Sequence, residues 1–286
     1  ISGNMIPSRQ LYVLGLEILR CSVRIECRDR DAFELVRANY AQMLIEKSAS
    51  PDLAYKISQS SRGSGYRIRR RGREPLIAGD EADLLFLLEK DLTIELQKLR
   101  RDLYFVHAAG LARARRAVLL VAASGKGKST TSWALLHHGF GYLSDELAPL
   151  DLDRLEVQPY AHALCLKGEP PGPYGLPAQT VRTRSTLHIP VQHLPHRAAM
   201  EATPLTAIFF LAYCPALKFP AVHPVSPAEA AARLFAQALN PLAHAEDGLP
   251  AAVTIAQRVP SFRLDSGDLR LTCALISQTL AAPAAA

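Results

Sequence analysis

Several ordinary ingredients are scarce in this chain of 286 residues. Cysteine occurs five times, at Cys21, Cys27, Cys165, Cys214 and Cys273, an odd and scattered set without a C-x-x-C pair. That pattern argues against a disulfide framework or a zinc ribbon and predicts reduced, mostly buried thiols in a cytoplasmic protein. No apolar run approaches the roughly 18 residues of a membrane span, and no secretory leader pattern is visible. Internal repeats are missing, which argues against a solenoid or a propeller. There is no L-S-G-G-Q-like run and no N-K-x-D, so a transport ATPase and a GTP-specific site are both disfavoured. Excess charge is also small: 33 Lys and Arg against 27 Asp and Glu leave a formal net charge of +6. This suits an anionic ligand and is too weak by itself to imply nucleic acid.

What is present is apolar bulk, 49% of residues, enough for one large domain or two ordinary ones. Over the first hundred residues, alternation at Leu11–Val13 and Cys21–Cys27 predicts strands, and 31–46 suits a helix capped by Asp31. Two strands, Ala54–Ser58 and Tyr66–Arg70, flank a turn at Ser61–Gly65. Leu84, Leu85, Leu88, Leu92, Leu96 and Leu99 then recur at helical spacing within 80–100. The expected organisation is a small α+β domain with its linking helix over 5–100 and a second domain over 101–286. In the second part, Tyr104–Gly110 reads as one strand and 117–122 as the next. A helix follows from Ser129 to His138, stopped by Gly139. Further strands are expected at 141–146, 163–167 and 206–213, and further helices at 227–239, 248–258 and 268–280.

One stretch carries chemistry. Residues 117–131 run from an apolar strand through Ala122-Ala123-Ser124-Gly125-Lys126-Gly127-Lys128-Ser129 into a helix. This is the pattern of a phosphate-binding loop, with Ala122 where the first glycine usually stands. Gly125 and Gly127 permit a tight turn that aims backbone N–H groups at a phosphate, and the helix start adds its positive end. In this pattern Lys128 reaches the terminal phosphates and the Ser129 hydroxyl binds Mg²⁺. Ser124 and Thr130 complete the loop, and Lys126 either adds charge near the phosphates or is solvated. About fifteen residues later, Leu143-Ser144-Asp145-Glu146 ends a strand in two acids. Neighbours on a strand face opposite ways, so only one acid faces the nucleotide unless the strand stops there. Asp145 is assigned as proton acceptor and metal partner, with Glu146 on or through the metal.

Other residues have plainer readings. Lys167 with Arg182 and Arg184 forms either a clamp for phosphate or an acidic acceptor, or a basic surface loop. His188, His193 and His196 lack a Cys or acid at ligand spacing and are not assigned a metal. Arg62, Arg67, Arg69, Arg70, Arg71 and Arg73 make a basic hairpin with only Tyr66 as an aromatic. That is poor for nucleic acid and better suited to a peptide-docking or solvated edge strand. Trp133 reads as a core or domain-contact residue.

Four of these pieces together resemble the HPr kinase/phosphorylase family and its bacterial relatives, including kinases of lasso-peptide precursors. They are His107 in Val-His-Ala-Ala, the loop Ala122–Ser129, Leu-Ser-Asp-Glu after Gly139, and Ala163–Lys167 ending in lysine. The resemblance covers about 103–240. It implies an α/β P-loop kinase core of the HPr kinase/phosphoenolpyruvate carboxykinase type beside the small N-terminal α+β domain. It further implies ATP, Mg²⁺ and a serine hydroxyl on a peptide or small protein as acceptor. Carried over, Asp145 is the proton acceptor, Lys128 and Ser129 hold phosphate and metal, and His107 lines the site. Glu146 stands where the family has a second Asp. A small-molecule kinase and a nucleotide-binding regulator without turnover are the alternative expectations. No nucleic-acid or membrane partner is expected, and self-association is left open.

Overall fold

The computed structural model describes residues 10–46, 50–60 and 65–281. Alternating and helical apolar patterns segregate there into a mixed α/β structure. The first sheet contains β1 (Tyr12–Ile18), β2 (Cys21–Cys27), β3 (Leu44–Ile45), β4 (Leu53–Gln59), β5 (Tyr66–Arg70) and β6 (Leu76–Ala78), ordered β3-β1-β2-β4-β5-β6. In β2 every second side chain, from Cys21 to Cys27, is buried, while Ser22, Arg24 and Glu26 lie on the other face. The buried face shares one hydrophobic cluster with α1 (Arg30–Asn39) and α2 (Glu81–Leu99). On α2, Leu84, Leu88, Leu92 and Leu96 form a stripe of period four and are completely buried. Each such leucine stabilises the fold by roughly 1.5–3 kcal/mol relative to leaving it in water. Asp80 starts this helix by accepting from the Asp83 amide at 2.9 Å.

The rest of the chain builds a nine-stranded sheet and a small three-stranded one. Their strands are β7 (Leu103–Val106), β8 (Ala108–Arg113), β9 (Arg116–Val121), β10 (Gly141–Ser144), β11 (Ala148–Asp151) and β12 (Glu156–Val157), then β13 (Leu164–Leu166), β14 (Val181–Arg182), β15 (Leu187–Ile189), β16 (Thr203–Tyr213), β17 (Ala221–Pro224) and β18 (Ser261–Ser266). At its centre β9, β16 and β18 run parallel, with β8 antiparallel beside β9 and β10 beyond it. Parallel strands are covered on both faces, and their near-continuous apolar sequences reflect this. One face packs against α3 (Lys128–His137) and α6 (Leu269–Ala281), the other against α4 (Pro227–Phe235) and α5 (Leu249–Arg258). The small sheet is ordered β13-β15-β14. Trp133 is buried on α3 and donates to the Tyr174 carbonyl at 2.9 Å, tying down the Pro- and Gly-rich loop.

Four local expectations are corrected. Helix α1 ends at Asn39 rather than 46, because Tyr40 leaves helical geometry and is fully buried; a 3₁₀ turn and β3 follow. Its cap is Asp29, not Asp31, with Asp29 Oδ1 accepting from the Ala32 amide at 2.9 Å. The basic strand β5 is interior, between β4 and β6, so it is not an edge. Arg70 points inward to Asp91 and Glu95, 2.6 and 3.1 Å away. Tyr104–Gly110 is two strands: β7 pairs with β11 while β8 pairs with β9 and β10. The break falls at His107, because residues 237–240 run alongside β7. Leu239 donates its amide to the Phe105 carbonyl, and His107 donates its amide to the Gln237 carbonyl. The expected turn at 61–65 falls almost entirely outside the described residues.

The leucine helix expected to link two domains belongs to the core of the first sheet. That core also receives Leu103, Phe105, Leu147 and Tyr160 from the chain beyond residue 100.

Candidate active site

Strand β9 ends at Val121, and the chain turns through Ala122–Gly127 into α3. Gly125 and Gly127 have φ of +79° and +88°, the left-handed region that disfavours side chains. Ala122 at the first loop position is buried and has no positive φ, so its methyl group is accommodated. Ala123, Ser124, Gly125 and Lys126 are exposed, Ser129 and Thr130 half-buried. The amides that open α3 lack intrahelical partners and carry the positive end of the helix dipole. They face a cleft of about 960 Å³ whose opposite wall is α2, lined there by Phe86, Glu89 and Lys90. Lys167, just after β13, donates from Nζ to Ser124 Oγ at 2.8 Å. Arg182 pairs with Glu169 at the cleft rim.

Lys128 is buried and does not extend toward solvent. Its Nζ lies 3.0 Å from Asp145 Oδ1 and 2.9 Å from Glu146 Oε1. Burial works against the ammonium, but the two carboxylates outweigh it and raise its pKa. Both acids reach the same lysine because β10 stops at Ser144. Glu146 then takes φ of +67°, which for a residue with a Cβ costs roughly 1–2 kcal/mol. Strict alternation would have sent the two side chains to opposite faces.

His107 joins the cluster from the break between β7 and β8. Its Nε2 is 2.7 Å from Glu146 Oε2 and its Nδ1 is 3.1 Å from Gln237 Oε1. Both partners accept, so a doubly protonated ring satisfies both. The Glu146 bond raises the His107 pKa in spite of partial burial. Glu146 shows the reciprocal effect: burial opposes its ionisation, but His107 and Lys128 together hold its carboxyl down at about 2.

Asp145 is completely buried, and its Oδ2 has no hydrogen-bond partner. An unpartnered buried carboxylate oxygen calls for a cation or ordered water. Among the described residues no group of three or more His, Cys, Asp or Glu side chains could hold a metal alone. Two carboxylates and the Ser129 hydroxyl are nonetheless an ordinary protein share for Mg²⁺, which takes its other ligands from substrate phosphates and water.

The structure thus gathers Ser124, Gly125, Lys126, Gly127, Lys128, Ser129, Thr130, Asp145, Glu146 and His107 around one region. Lys126 is exposed, its amide donating to the Ala123 carbonyl at 3.2 Å. His188 is buried beside Thr186 Oγ1 at 2.8 Å, and burial lowers its pKa to about 4. Three residues not singled out in the sequence also touch this region. Gln237 orients His107, while Glu89 and His162, which both line the cleft, pair at 3.1 Å beside Asp145. Burial pushes the Glu89 carboxyl up; nearby His162 opposes this and the neighbouring acids add to it.

No protein-family model matches the chain, and no curated protein matches it. Among solved structures it is similar to the HPr(Ser) kinase/phosphatase from Coxiella burnetii, at 15% identity and a TM-score of 0.32. The alignment covers 62% of this chain and 87% of that one. Among the described residues no helix is long and apolar enough to cross a membrane.

Proposed function

We propose that this chain is an ATP-dependent kinase that transfers the γ-phosphoryl group to a serine hydroxyl of a peptide or small protein. The observation that supports it most is the convergence of Lys128, Asp145 and Glu146 at the start of α3, directly after a glycine-bearing turn. Loop amides and the helix terminus bind the triphosphate. An arriving polyphosphate competes for Lys128, drawing the ammonium onto the phosphates and away from the acids. Asp145 then accepts the proton of the acceptor hydroxyl, whose oxygen attacks the γ-phosphorus as the bond to the ADP oxygen breaks. Ser129, Asp145 and Glu146 are the residues to hold Mg²⁺, which when bound neutralises charge on the phosphates. His107 holds Glu146 in place and balances its charge. Most of the rate comes from positioning and charge stabilisation, as in phosphoryl transfer generally.

The cleft also has room for an acceptor beside the nucleotide. Its volume is at the upper end of the range for small-molecule sites, roughly 300–1,000 Å³. Phe86 on the α2 wall is 62% exposed, which suits the side chains of a peptide better than a small polar metabolite. The decisive experiment is incubation with labelled ATP, Mg²⁺ and candidate peptides encoded beside the gene, read by mass shift. A gain of one phosphoryl group on serine, lost in Lys128→Ala, is expected. ATP uptake without any transfer would favour a nucleotide-binding regulator, and transfer only to small alcohols would move the acceptor class.

A further inference from the structure

The Asp145–Glu146 peptide is gripped by residues outside the glycine loop. His162 lies between β12 and β13, and Glu89 lies on α2. Nε2 of His162 is 3.1 Å from Glu89 Oε1 and 3.3 Å from the Asp145 carbonyl oxygen. A backbone carbonyl only accepts, so Nε2 carries the proton in its contact with Asp145. The imidazole is buried against Tyr160 and Tyr40, with ring centroids 4.9 and 6.5 Å away. Glu89 in turn is fixed by its helix, where Leu88 and Leu92 are rooted in the first core.

The residue after this gripped carbonyl is Glu146, whose left-handed backbone persists only where its surroundings hold it. That same turn brings both acids to Lys128. We infer that Glu89 and His162 are positioning residues, which clamp the Asp145 carbonyl and so hold the acidic turn in the geometry that phosphoryl transfer needs. The inference deepens the proposed kinase reading and rests on it for its catalytic consequence. Its structural half stands apart: helix α2, from the first half of the chain, fixes the acids of the second.

Hydrogen exchange on the full nucleotide-free chain tests the clamp without any activity. His162→Ala and Glu89→Ala should each speed exchange over 144–148 about tenfold or more while leaving β9 and β16 protected. His162→Gln keeps an N–H donor and should restore most of the protection. Unchanged exchange at 144–148 in both alanine variants overturns the clamp. If alanine at 162 unfolds the chain, His162→Asn decides: its shorter amide cannot span both acceptors, so protection equal to that of His162→Gln refutes the inference.

Kinetics test the consequence. Either alanine variant should lower kcat about tenfold to a hundredfold, with a smaller change in KM for ATP. The double variant should be no worse than either single one, since the two act as a unit. A raised KM with kcat intact, or additive losses, would make the pair merely structural and refute the positioning role. Wild-type protein that takes up no ATP would instead defeat the kinase reading, with the exchange result still deciding the clamp.

Discussion

Replacing Lys128 by methionine tests the electrostatics of the site, because most of the apolar stem stays while the ammonium, with its charge and N–H donors, is lost. In the native chain the ammonium sits 3.0 Å from the fully buried Asp145. Removing one partner of a buried pair typically costs about 3–5 kcal/mol, since the other charge is left uncompensated. At about 2–4 °C per kcal/mol for a large domain, the first melting transition at pH 7 should fall by about 6–20 °C. Asp145→Asn alone should cost less, because Lys128 keeps Glu146 at 2.9 Å, a half-exposed partner. The double variant Lys128→Met with Asp145→Asn buries no charge of this pair and should recover most of the loss. Thermal and urea melts of the four proteins form a double-mutant cycle. A double variant as unstable as the sum of the two single ones would refute the account, because it would mean that the two charges do not interact.

Three further outcomes follow from the same geometry. Asp145→Asn should retain ATP binding by calorimetry while the transfer rate falls about 10²–10⁴-fold; a rate like that of wild type would place the base elsewhere. The Glu146–His107 pair predicts a stability profile with two flanks. Glu146 has a depressed folded pKa, so its contribution is present above about 4.5 and lost as pH falls toward 2. His107 has a raised folded pKa, so its contribution is full below about 6.5 and lost as pH rises through the folded value. Urea midpoints across pH should therefore lose the acid flank in Glu146→Gln and the alkaline flank in His107→Asn, and flanks that persist in these variants would assign them to other groups. Asp29→Ala removes the α1 cap and an acceptor for Gln59 Nε2 at 2.8 Å, and should cost about 1 kcal/mol in urea melts with no effect on ATP binding.

How much of this was legible in the sequence depended on distance along the chain. The glycine loop could be read because strand, turn and helix signals lie within fifteen residues and each has a local cause. Helix α2 was legible from apolar spacing alone, and the bounds of α2, α5 and α6 fall within a residue or two of expectation. The end of α1 was not, because burial of Tyr40 against the second half of the chain overrides local helical preference. Nor was the break at His107, which depends on residues 237–240 pairing with β7. The orientation of Glu146 turns on one backbone angle that no composition signal marks. Glu89, His162 and Gln237 carry no motif, and only tertiary packing brings them near Asp145 and His107.

Leu147 follows Glu146 directly and is sunk, with Leu103, Phe105 and Tyr160, into the interior built by the first sheet and α2. Cutting the chain near residue 100 would strand these four large side chains in water and release the acidic turn from its anchor. A chimera that exchanges the N-terminal portion must reproduce their sockets before any change in acceptor preference can be interpreted.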